Sequence, residues 1–516
     1  MKEVEWLLKG DPRPVQLEAL RRSYYGYSLY NGPNAEEDYH FLRVGPAVGW
    51  GHFLEMRMGK TPTALNEMAL FKFDHNINYG VIVAPNTYKQ AWQNEGETFG
   101  FNLPIHVFDS AQCDRTLSKF KREGGYLSIN YEVFQHTHLV EKIFNVLNNV
   151  PKFGLVLDES IKIKNNTSPA SMAIREMAKD AKFIRLLSGL PYSQGPQDLY
   201  PQLRAIRQFS GVNFYAFKNK FCKMGGFKGK STKGVKNEHL LKEALEKCSF
   251  VAKLDVWAKG KKAQFFVDKL SLTPKQKAHY DEMEADFVTF LDSGEPVSAA
   301  HVMTKMMKQQ QIASGFMYDE HSEIHPIEEP KNLPKLQRVI DIVENSPKTV
   351  IFYHYNASAD MLVEALKAYN PCVIRSKQRM IADGQDVEEE KHKFNNDPKH
   401  RVMIAQLDRT KYGHDLSGNK KDVVCSLTVY YENTYSLDTR SQTEMRTITA
   451  HQPVAPRYID FMSCPTDASF IKALVAKTGM TEAVLGHYGK DRGGATAWED
   501  DPEKCLNTHQ GDNSQS

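Results

Sequence analysis

The segment Phe53-Leu54-Glu55-Met56-Arg57-Met58-Gly59-Lys60-Thr61, followed by the helix-forming run from Thr63 to Ala69, has residue types and spacing suited to phosphate chemistry. A Gly-Lys-Thr that opens a helix offers backbone amides and a positive dipole end to a phosphate. It also offers a lysine to the β- and γ-phosphates and a hydroxyl to magnesium. The full loop pattern would carry glycine where Leu54 stands, so this segment alone is also compatible with a chance Gly-Lys-Thr at a helix start. A second segment supplies carboxylates: the run Gly154-Leu155-Val156-Leu157 leads directly into Asp158-Glu159-Ser160. At the carboxyl end of a parallel strand, Asp158 suits the water shell of a magnesium ion, and Glu159 suits orienting and deprotonating an attacking water. An isolated Asp-Glu is more often a solvated loop. A lysine loop followed by a strand-end Asp-Glu in one chain makes ATP hydrolysis with Mg2+ the better reading.

Strands must hold these residues, and the sequence offers them. Short Val- and Ile-rich runs recur at Tyr79–Pro85, Gly154–Asp158, Phe183–Leu187, Thr349–Phe352 and Arg401–Ala405, each too short for a buried helix and bounded by polar or turn residues. Helical stretches such as Thr63–Phe71, Ala170–Met177 and Ala359–Lys367 separate them. Alternation of this kind predicts an α/β fold with parallel sheets and ligands at the carboxyl ends of the strands. Two such blocks stand at 1–210 and 332–480. Between them, 211–331 reads as a helical insertion that opens on a lysine-rich, acid-free stretch, Lys218–Lys236, and 481–516 reads as a polar tail.

The chain has 516 residues, with 66 Lys and Arg against 63 Asp and Glu, and 41% of it is hydrophobic. This composition excludes disordered, collagen-like and disulfide-dense classes. A net charge of +3 excludes a histone-like protein but not a local basic groove. Seven dispersed cysteines without a C-x-x-C read as reduced thiols rather than a zinc site. His301, His321, His325 and His451 lack metal-ligand spacing, so no metal beyond magnesium is supported. The first residues do not read as a secretory signal, and no apolar run approaches the length of a membrane span. The expectation is a cytoplasmic protein with no membrane partner.

From about Pro12 to Lys477 the sequence resembles the superfamily-two helicases and translocases, specifically the Swi/Snf-type branch, and within it the compact bacteriophage and annealing-helicase versions. Asp11-Pro12-Arg13-Pro14-Val15-Gln16 looks like the adenine-reading Q motif, Glu55–Thr61 like motif I, and Val81–Pro85 through Trp92 and Glu95 like motif Ia. Ser128–Glu132 resembles motif Ib, Asp158–Ile161 stands where the DEAH-type box stands, and Ser188-Gly189-Leu190-Pro191 resembles motif III. Gln309–Gly315 sits where the family has its Leu-Arg-Gln segment. Val350-Ile351-Phe352 looks like motif IV, Gly413-His414-Asp415-Leu416 like motif V, and Gln442–Arg446 with Gln452 like motif VI.

The resemblance implies two RecA-like lobes with a helical, basic insertion between them, ATP and Mg2+ as ligands, and DNA lying across the lobes. It implies nucleotide contacts from Arg13, Gln16, Met56, Arg57, Met58, Gly59, Lys60 and Thr61, and from Gly413, Asp415 and Gln442. Thr61 and Asp158 would serve the metal, and Lys60, Asp158, Glu159 and Arg446 would carry catalysis, Arg446 as an arginine finger. Motif VI departs from its pattern, because Thr449 occupies the place of the second arginine; Arg446 then acts alone, or Arg440 substitutes. DNA contact is expected from the lysines of 218–236 with Lys253, Lys259, Lys261 and Lys262, sequence-independent and salt-sensitive. The aromatics Phe214, Tyr215, Phe217 and Phe221 among them fit a helix core better than base stacking.

The expected activity is ATP-driven translocation on duplex or branched DNA, in branch migration, reannealing or remodelling of protein–DNA complexes. A recruiting protein partner and a monomer fit this expectation, in a bacterial or phage-infected cytoplasm. Three alternatives stand beside it: a strand-unwinding helicase, a catalytically weakened ATP-gated DNA-binding or adaptor module, and, more weakly, a P-loop kinase.

Overall fold

The computed structural model describes residues 4–25, 45–225, 231–253, 263–292, 299–346, 348–411, 415–418, 424–448, 454–485 and 498–499. The chain divides into two compact units, one of residues 1–259 with 479–491 and the other of residues 260–478 with 492–516.

The first unit is built on β1 (Gly49–Leu54), β2 (Tyr79–Ala84), β3 (Ile105–Val107), β4 (Gly125–Asn130), β5 (Phe153–Asp158) and β6 (Phe183–Leu187). It also holds a hairpin of β7 (Cys222–Gly225) and β8 (Ser231–Val235), and a last strand β9 (Ser249–Ala252). Its sheet runs β3-β4-β2-β5-β6-β1-β9 with every pairing parallel. Both faces are covered, which explains the unbroken apolar runs. On β2, Val81 and Val83 enter one core with the helices Cys113–Glu123, Thr137–Leu147 and Pro169–Asp180, while Ile82 and Ala84 enter another with the helix Lys60–His75. On β5, Leu155 and Leu157 face the first core and Val156 the second. Each such Val, Ile or Leu side chain, taken fully out of water, contributes about 1.5–3 kcal/mol.

The second unit follows the same plan. Its strands are β10 (Gln264–Lys269), a hairpin of β11 (Phe316–Tyr318) and β12 (Ile324–Pro326), β13 (Thr349–Tyr353), β14 (Cys372–Ile374), β15 (Val402–Gln406), β16 (Leu427–Tyr430), β17 (Arg457–Met462) and β18 (Trp498–Glu499). The parallel order is β14-β15-β13-β16-β17-β10-β18. Two parallel α/β lobes are therefore present, as the alternation predicts.

The stretch 211–331 differs from the single helical insertion expected of it. Its first part gives β9 to the first sheet and its later part gives β10 to the second, and the division between the units falls inside it. Within the lysine-rich run the described residues form the end of the helix Phe214–Phe221 and the β7–β8 hairpin: Lys223 in β7 pairs opposite Gly234 in β8, and Lys220, Lys223, Lys233 and Lys236 are exposed. Phe217 and Phe221 sit in the core beneath it, whereas Tyr215 is largely exposed. Helices do follow, at Pro274–Asp292 and Ala299–Ala313. Cys113, Cys222, Cys248, Cys372, Cys425 and Cys464 are buried free thiols. Among the described residues, no helix is long and apolar enough to cross a membrane.

Three charged or polar side chains lie at the heart of the first unit with essentially no water contact: His52 on β1, Glu67 on the Lys60–His75 helix and Arg185 on β6. The Glu67 carboxylate takes Arg185 Nη2 at 2.7 Å on one oxygen and lies 2.9 Å from His52 Nε2 on the other. Arg185 Nη1 donates to the carbonyls of Ala47 and Ile184, and its guanidinium lies over the rings of Phe71 and Phe183, which stack on each other at 4.0 Å. Burial alone would raise the Glu67 carboxyl. The Arg185 charge, with the His52 contact, overrides it and holds the group well below the usual carboxylate range.

A carboxyl held down in the folded state adds stability above its unfolded pKa of about 4.3, and that stability is lost as pH falls toward the folded value. Glu67→Gln leaves the Arg185 charge buried without its counter-ion, so the first unit should lose about 3–5 kcal/mol. Urea unfolding at neutral pH checks the loss. A parallel acid series should show a shallower fall in stability below pH ~4 for the variant than for the parent chain.

Candidate active site

Register brings the reacting residues to one level. Asp158 at the end of β5 pairs with Leu187 at the end of β6, and Leu187 pairs with His52 near the end of β1. The loops that leave these three strands are therefore neighbours at the carboxyl edge of the sheet, where ligands bind in open α/β sheets. They are the 55–59 loop, the turn Glu159-Ser160 and the turn Ser188-Gly189.

The 55–59 loop shows why glycine is dispensable at position 54. Leu54 is the buried last residue of β1, paired with Ala252 of β9, and needs no special backbone. The left-handed conformations fall instead on Arg57, with φ 65°, and on Gly59, with φ 84°. Gly59 is needed twice over, because a Cβ there would also lie 2.5 Å from Gln16 Nε2. Gly59 precedes a 16-residue helix whose first turn carries no acid, so its amides and dipole are left for an anion. Lys60 Nζ donates to the Leu54 carbonyl at 3.0 Å, folded back over the loop. Met56 and Met58 belong to the same turn, Met58 buried.

Arg13 and Gln16 brace this loop from outside. The Arg13 guanidinium donates to the Arg57 carbonyl, Gln16 Nε2 donates to the Gly59 carbonyl at 3.2 Å, and Gln16 Oε1 accepts from the Arg13 amide at 2.7 Å. Gln16 is buried with both ends of its amide engaged, so its first duty here is to hold backbone.

Asp158 is buried and surrounded by donors. Trp92 Nε1 donates to its Oδ2 at 3.0 Å, and the Tyr131 hydroxyl donates to its backbone carbonyl at 2.7 Å. Burial pushes its carboxyl up, while the Trp92 hydrogen bond and the Lys60 charge pull the other way. Glu159 is also buried and adopts φ 50°, a left-handed backbone that costs a non-glycine residue about 1–2 kcal/mol. Ser160, the departure from the usual box, is fully buried and donates to Gln202 Oε1 at 2.7 Å. Gln202 Nε2 in turn donates to the carbonyls of Pro191 and Asp198. One glutamine thus ties the carboxylate turn to the Ser188–Pro191 turn.

Glu95 completes the group. Burial, and then the Asp158 charge, push its carboxyl up to about 7, while Thr61 pulls the other way. Lys60, Thr61, Asp158 and Glu159 are therefore gathered at one sheet edge with Arg13, Gln16, Arg57 and Gly59 around the loop. Among the described residues, no three His, Cys, Asp or Glu side chains converge to hold a metal by themselves. A threonine hydroxyl and one carboxylate are hard oxygen donors, and they fit Mg2+ bound jointly with phosphate oxygens and water.

The remaining expected residues belong to the second unit. Arg446 is half-buried; its Nη2 donates to the Lys411 carbonyl at 2.7 Å, and its own carbonyl accepts from the Leu416 amide. Asp415 is exposed and accepts from the Ser417 amide and hydroxyl. Gln442 is buried and donates to Asp438 at 2.9 Å. Gly413, Thr449, Gln452, Lys259, Lys261 and Lys262 lie outside the described residues.

Arg440 does not substitute for a missing finger. It is buried in a bidentate pair with Asp460, bonded also to Asn433 and Glu444, with its guanidinium 3.5 Å from the centre of the Tyr430 ring. Arg440→Gln should therefore unfold the second unit at lower urea, by about 3–5 kcal/mol, rather than lower turnover selectively. Gly59→Ala should weaken ADP binding by about tenfold or more, since added left-handed strain and the Gln16 clash distort the anion loop. Equilibrium binding of a fluorescent ADP checks it.

The sequence family described as SNF2-related domain matches residues 53–316. The SWI/SNF-related matrix-associated actin-dependent regulator of chromatin subfamily A-like protein 1 of Xenopus laevis is 24% identical over 450 residues, 83% of this chain and 42% of that protein. The DNA annealing helicase and endonuclease ZRANB3 of Mus musculus is 21% identical over 384 residues, 70% of this chain and 32% of that protein. The chain thus spans less than half the length of these curated relatives. Of solved structures, the Sulfolobus solfataricus SWI2/SNF2 ATPase core in complex with dsDNA is 17% identical, with a TM-score of 0.41 over 95% of this chain and 96% of that one. The family match takes in the anion loop, the strand-end carboxylates and the Ser188–Pro191 turn, and over that span the chain belongs to the SNF2-related domain family.

Proposed function

We propose that the chain is an ATP-hydrolysing motor that translocates on double-stranded or branched DNA. The observation that carries this reading is the gathering of Lys60, Thr61, Asp158 and Glu159 at the carboxyl ends of β1 and β5, beneath a helix N-terminus free of acids. The amides after Gly59 and the Lys60 ammonium, once turned from the Leu54 carbonyl, bind the β- and γ-phosphates. Magnesium, when bound, neutralises charge on those phosphates; Thr61 and Asp158 are the residues that would hold it. Glu159 orients a water in line with the γ-phosphorus and takes its proton as the new P–O bond forms and the bond to the ADP oxygen breaks. Its held left-handed backbone fixes where that carboxylate points. Arg446 is assigned to charge developing on the transferred group.

DNA contact is assigned to the exposed lysines in and beside the hairpin, Lys220, Lys223, Lys233 and Lys236, which offer a sequence-independent grip on phosphates. The name of the mouse relative speaks of DNA annealing, and it supports reannealing among the activities proposed. The bacterial or phage-infected cytoplasmic setting, a monomeric motor and a recruiting protein partner belong to the same proposal.

A second reading is favoured by one observation. Arg440 is locked against Asp460 and so supplies no second finger, which suits a weakened, ATP-gated DNA-binding module. Phosphate release without nucleic acid, and with single-stranded, duplex and branched DNA at matched salt, separates the readings. The motor should be stimulated most by duplex or branched DNA. Lys60→Ala and Glu159→Gln should abolish the stimulation, and Arg446→Ala should lower it by about a thousandfold or more. DNA binding with no stimulated release would establish the gated module, and unchanged turnover in Lys60→Ala or Glu159→Gln would sink the assignment.

A further inference from the structure

Glu159 holds a left-handed backbone, φ 50°, that a glutamate does not keep unless its neighbours hold it there. The groups that do so arrive from two directions. Tyr131 follows the last residue of β4, and β4 is separated from β5 only by β2, so its side chain reaches across the carboxyl edge of the sheet. Its hydroxyl donates to the Asp158 carbonyl at 2.7 Å, and that carbonyl belongs to the peptide joined to the Glu159 nitrogen. On the other side of Glu159, the Lys162 amide donates to the Glu159 carbonyl at 3.0 Å, and Ser160 Oγ donates to Gln202 Oε1 at 2.7 Å. The peptide planes before and after the Glu159 Cα are therefore both tied.

The Gln202 amide can face only one way. Its Nε2 donates to the carbonyls of Pro191 and Asp198, and a flipped amide would set an oxygen against both. Oε1 is thus turned to Ser160, whose hydroxyl must donate. Tyr131 is buried, and Ser160 and Gln202 have essentially no water contact, so solvent does not compete for these bonds. Released from its ties, Glu159 would relax to an ordinary φ and carry its Cβ, and with it the carboxylate, away from the attacking water. A displacement of about 1 Å at a reacting group can cost on the order of a hundredfold in rate.

We propose that Tyr131 and the Ser160–Gln202 pair are positioning residues for Glu159, clamping its left-handed backbone from both sides so that its carboxylate is held where water is activated. Tyr131 acts by way of the Asp158 carbonyl and Gln202 by way of Ser160. The inference rests on the hydrolytic reading and deepens it. The departure at Ser160 gains a purpose, because the alanine of a DEAH-type box has no hydroxyl to offer. Since the anion loop, not the clamp, binds the phosphates, loss of the clamp should slow turnover and spare nucleotide affinity.

The test uses the full chain with saturating duplex DNA. Phosphate release gives kcat and KM for ATP, equilibrium binding of fluorescent ADP gives affinity, and urea unfolding of the same samples gives stability. Tyr131→Phe and Ser160→Ala each delete one hydroxyl, and each should lower kcat about tenfold or more with ADP affinity within about twofold of the parent chain. Tyr79→Phe is the control: its hydroxyl also donates to a backbone carbonyl, that of Lys121 at 3.1 Å, but from the amino end of β2 at the opposite edge of the sheet, and its kcat should stay parental. If Ser160→Ala does not fold, Gln202→Met removes the same contact from its other end. An equal loss of kcat in Tyr79→Phe, or a loss of ADP affinity as large as the loss of kcat, would overturn the inference. A parent chain with no ATP turnover, or one whose turnover survives Glu159→Gln, overturns the hydrolytic reading and the inference with it. A parent that needs Glu159 while Tyr131→Phe or Ser160→Ala keeps its full kcat overturns the inference alone.

Discussion

A carboxylate with no access to water constrains the first unit more than any other single group. Glu67 persists as an anion because Arg185 and His52 meet it, one from β6 and one from β1, while Glu67 itself rides on the helix that begins at Lys60. A buried pair of this kind contributes little net stability over a well-packed apolar alternative. Its effect lies in selectivity. A one-residue slip of β1 against β6 would turn His52 or Arg185 to the other face and leave a charge stranded in the core. The register that satisfies Glu67 is the register that levels the ends of β1, β5 and β6, and with them the anion loop, the two carboxylates and the Ser188–Pro191 turn.

The second unit repeats the device with different residues. Arg440 and Asp460 join the Leu437–Glu444 helix to β17, and Asn433 joins both to the chain after β16. Gln310 donates to the Asn433 carbonyl, Gln309 accepts from Thr466, and Gln311 accepts from the Tyr318 amide, so three consecutive buried glutamines are each bonded inside the fold. Arg446, six residues beyond Arg440, is half-buried and donates to the Lys411 carbonyl. Two arginines of one short segment thus have opposite fates, one closed into the core and one kept near the surface.

Much of this was legible in the sequence, and the parts that were not share a cause. The strands at 79–84, 153–158, 183–187, 349–353 and 402–406 declare themselves because sheets covered on both faces need unbroken Val, Ile and Leu. β1 does not, since Gly49, Gly51 and the buried His52 interrupt its apolar pattern, and β9 and β10 are short and flanked by charge. The residues of the anion loop and the strand-end carboxylates follow from chemistry local to each segment. The duties of Trp92, Gln202 and Arg185 do not, because each depends on a partner tens of residues away. The fate of Arg440 was equally hidden: spacing places it near the phosphate-sensing arginine, and only the position of Asp460 shows that its charge is already spent.

The order in which the chain visits its units has a practical meaning. The first unit is written like a sentence with a long parenthesis: it breaks off at 259 and resumes at 479, after residues 260–478 of the second unit have been spelled out. The closing words matter to its grammar, because the buried Tyr192 hydroxyl, just past the Ser188–Pro191 turn, donates to the Met480 and Thr481 carbonyls. A ribosome cannot finish this lobe until it has made nearly all of the other, and a fragment cut after 259 is an incomplete lobe with a polar group left stranded in its interior. Dissection of the protein into working halves is better served by circular permutation than by truncation.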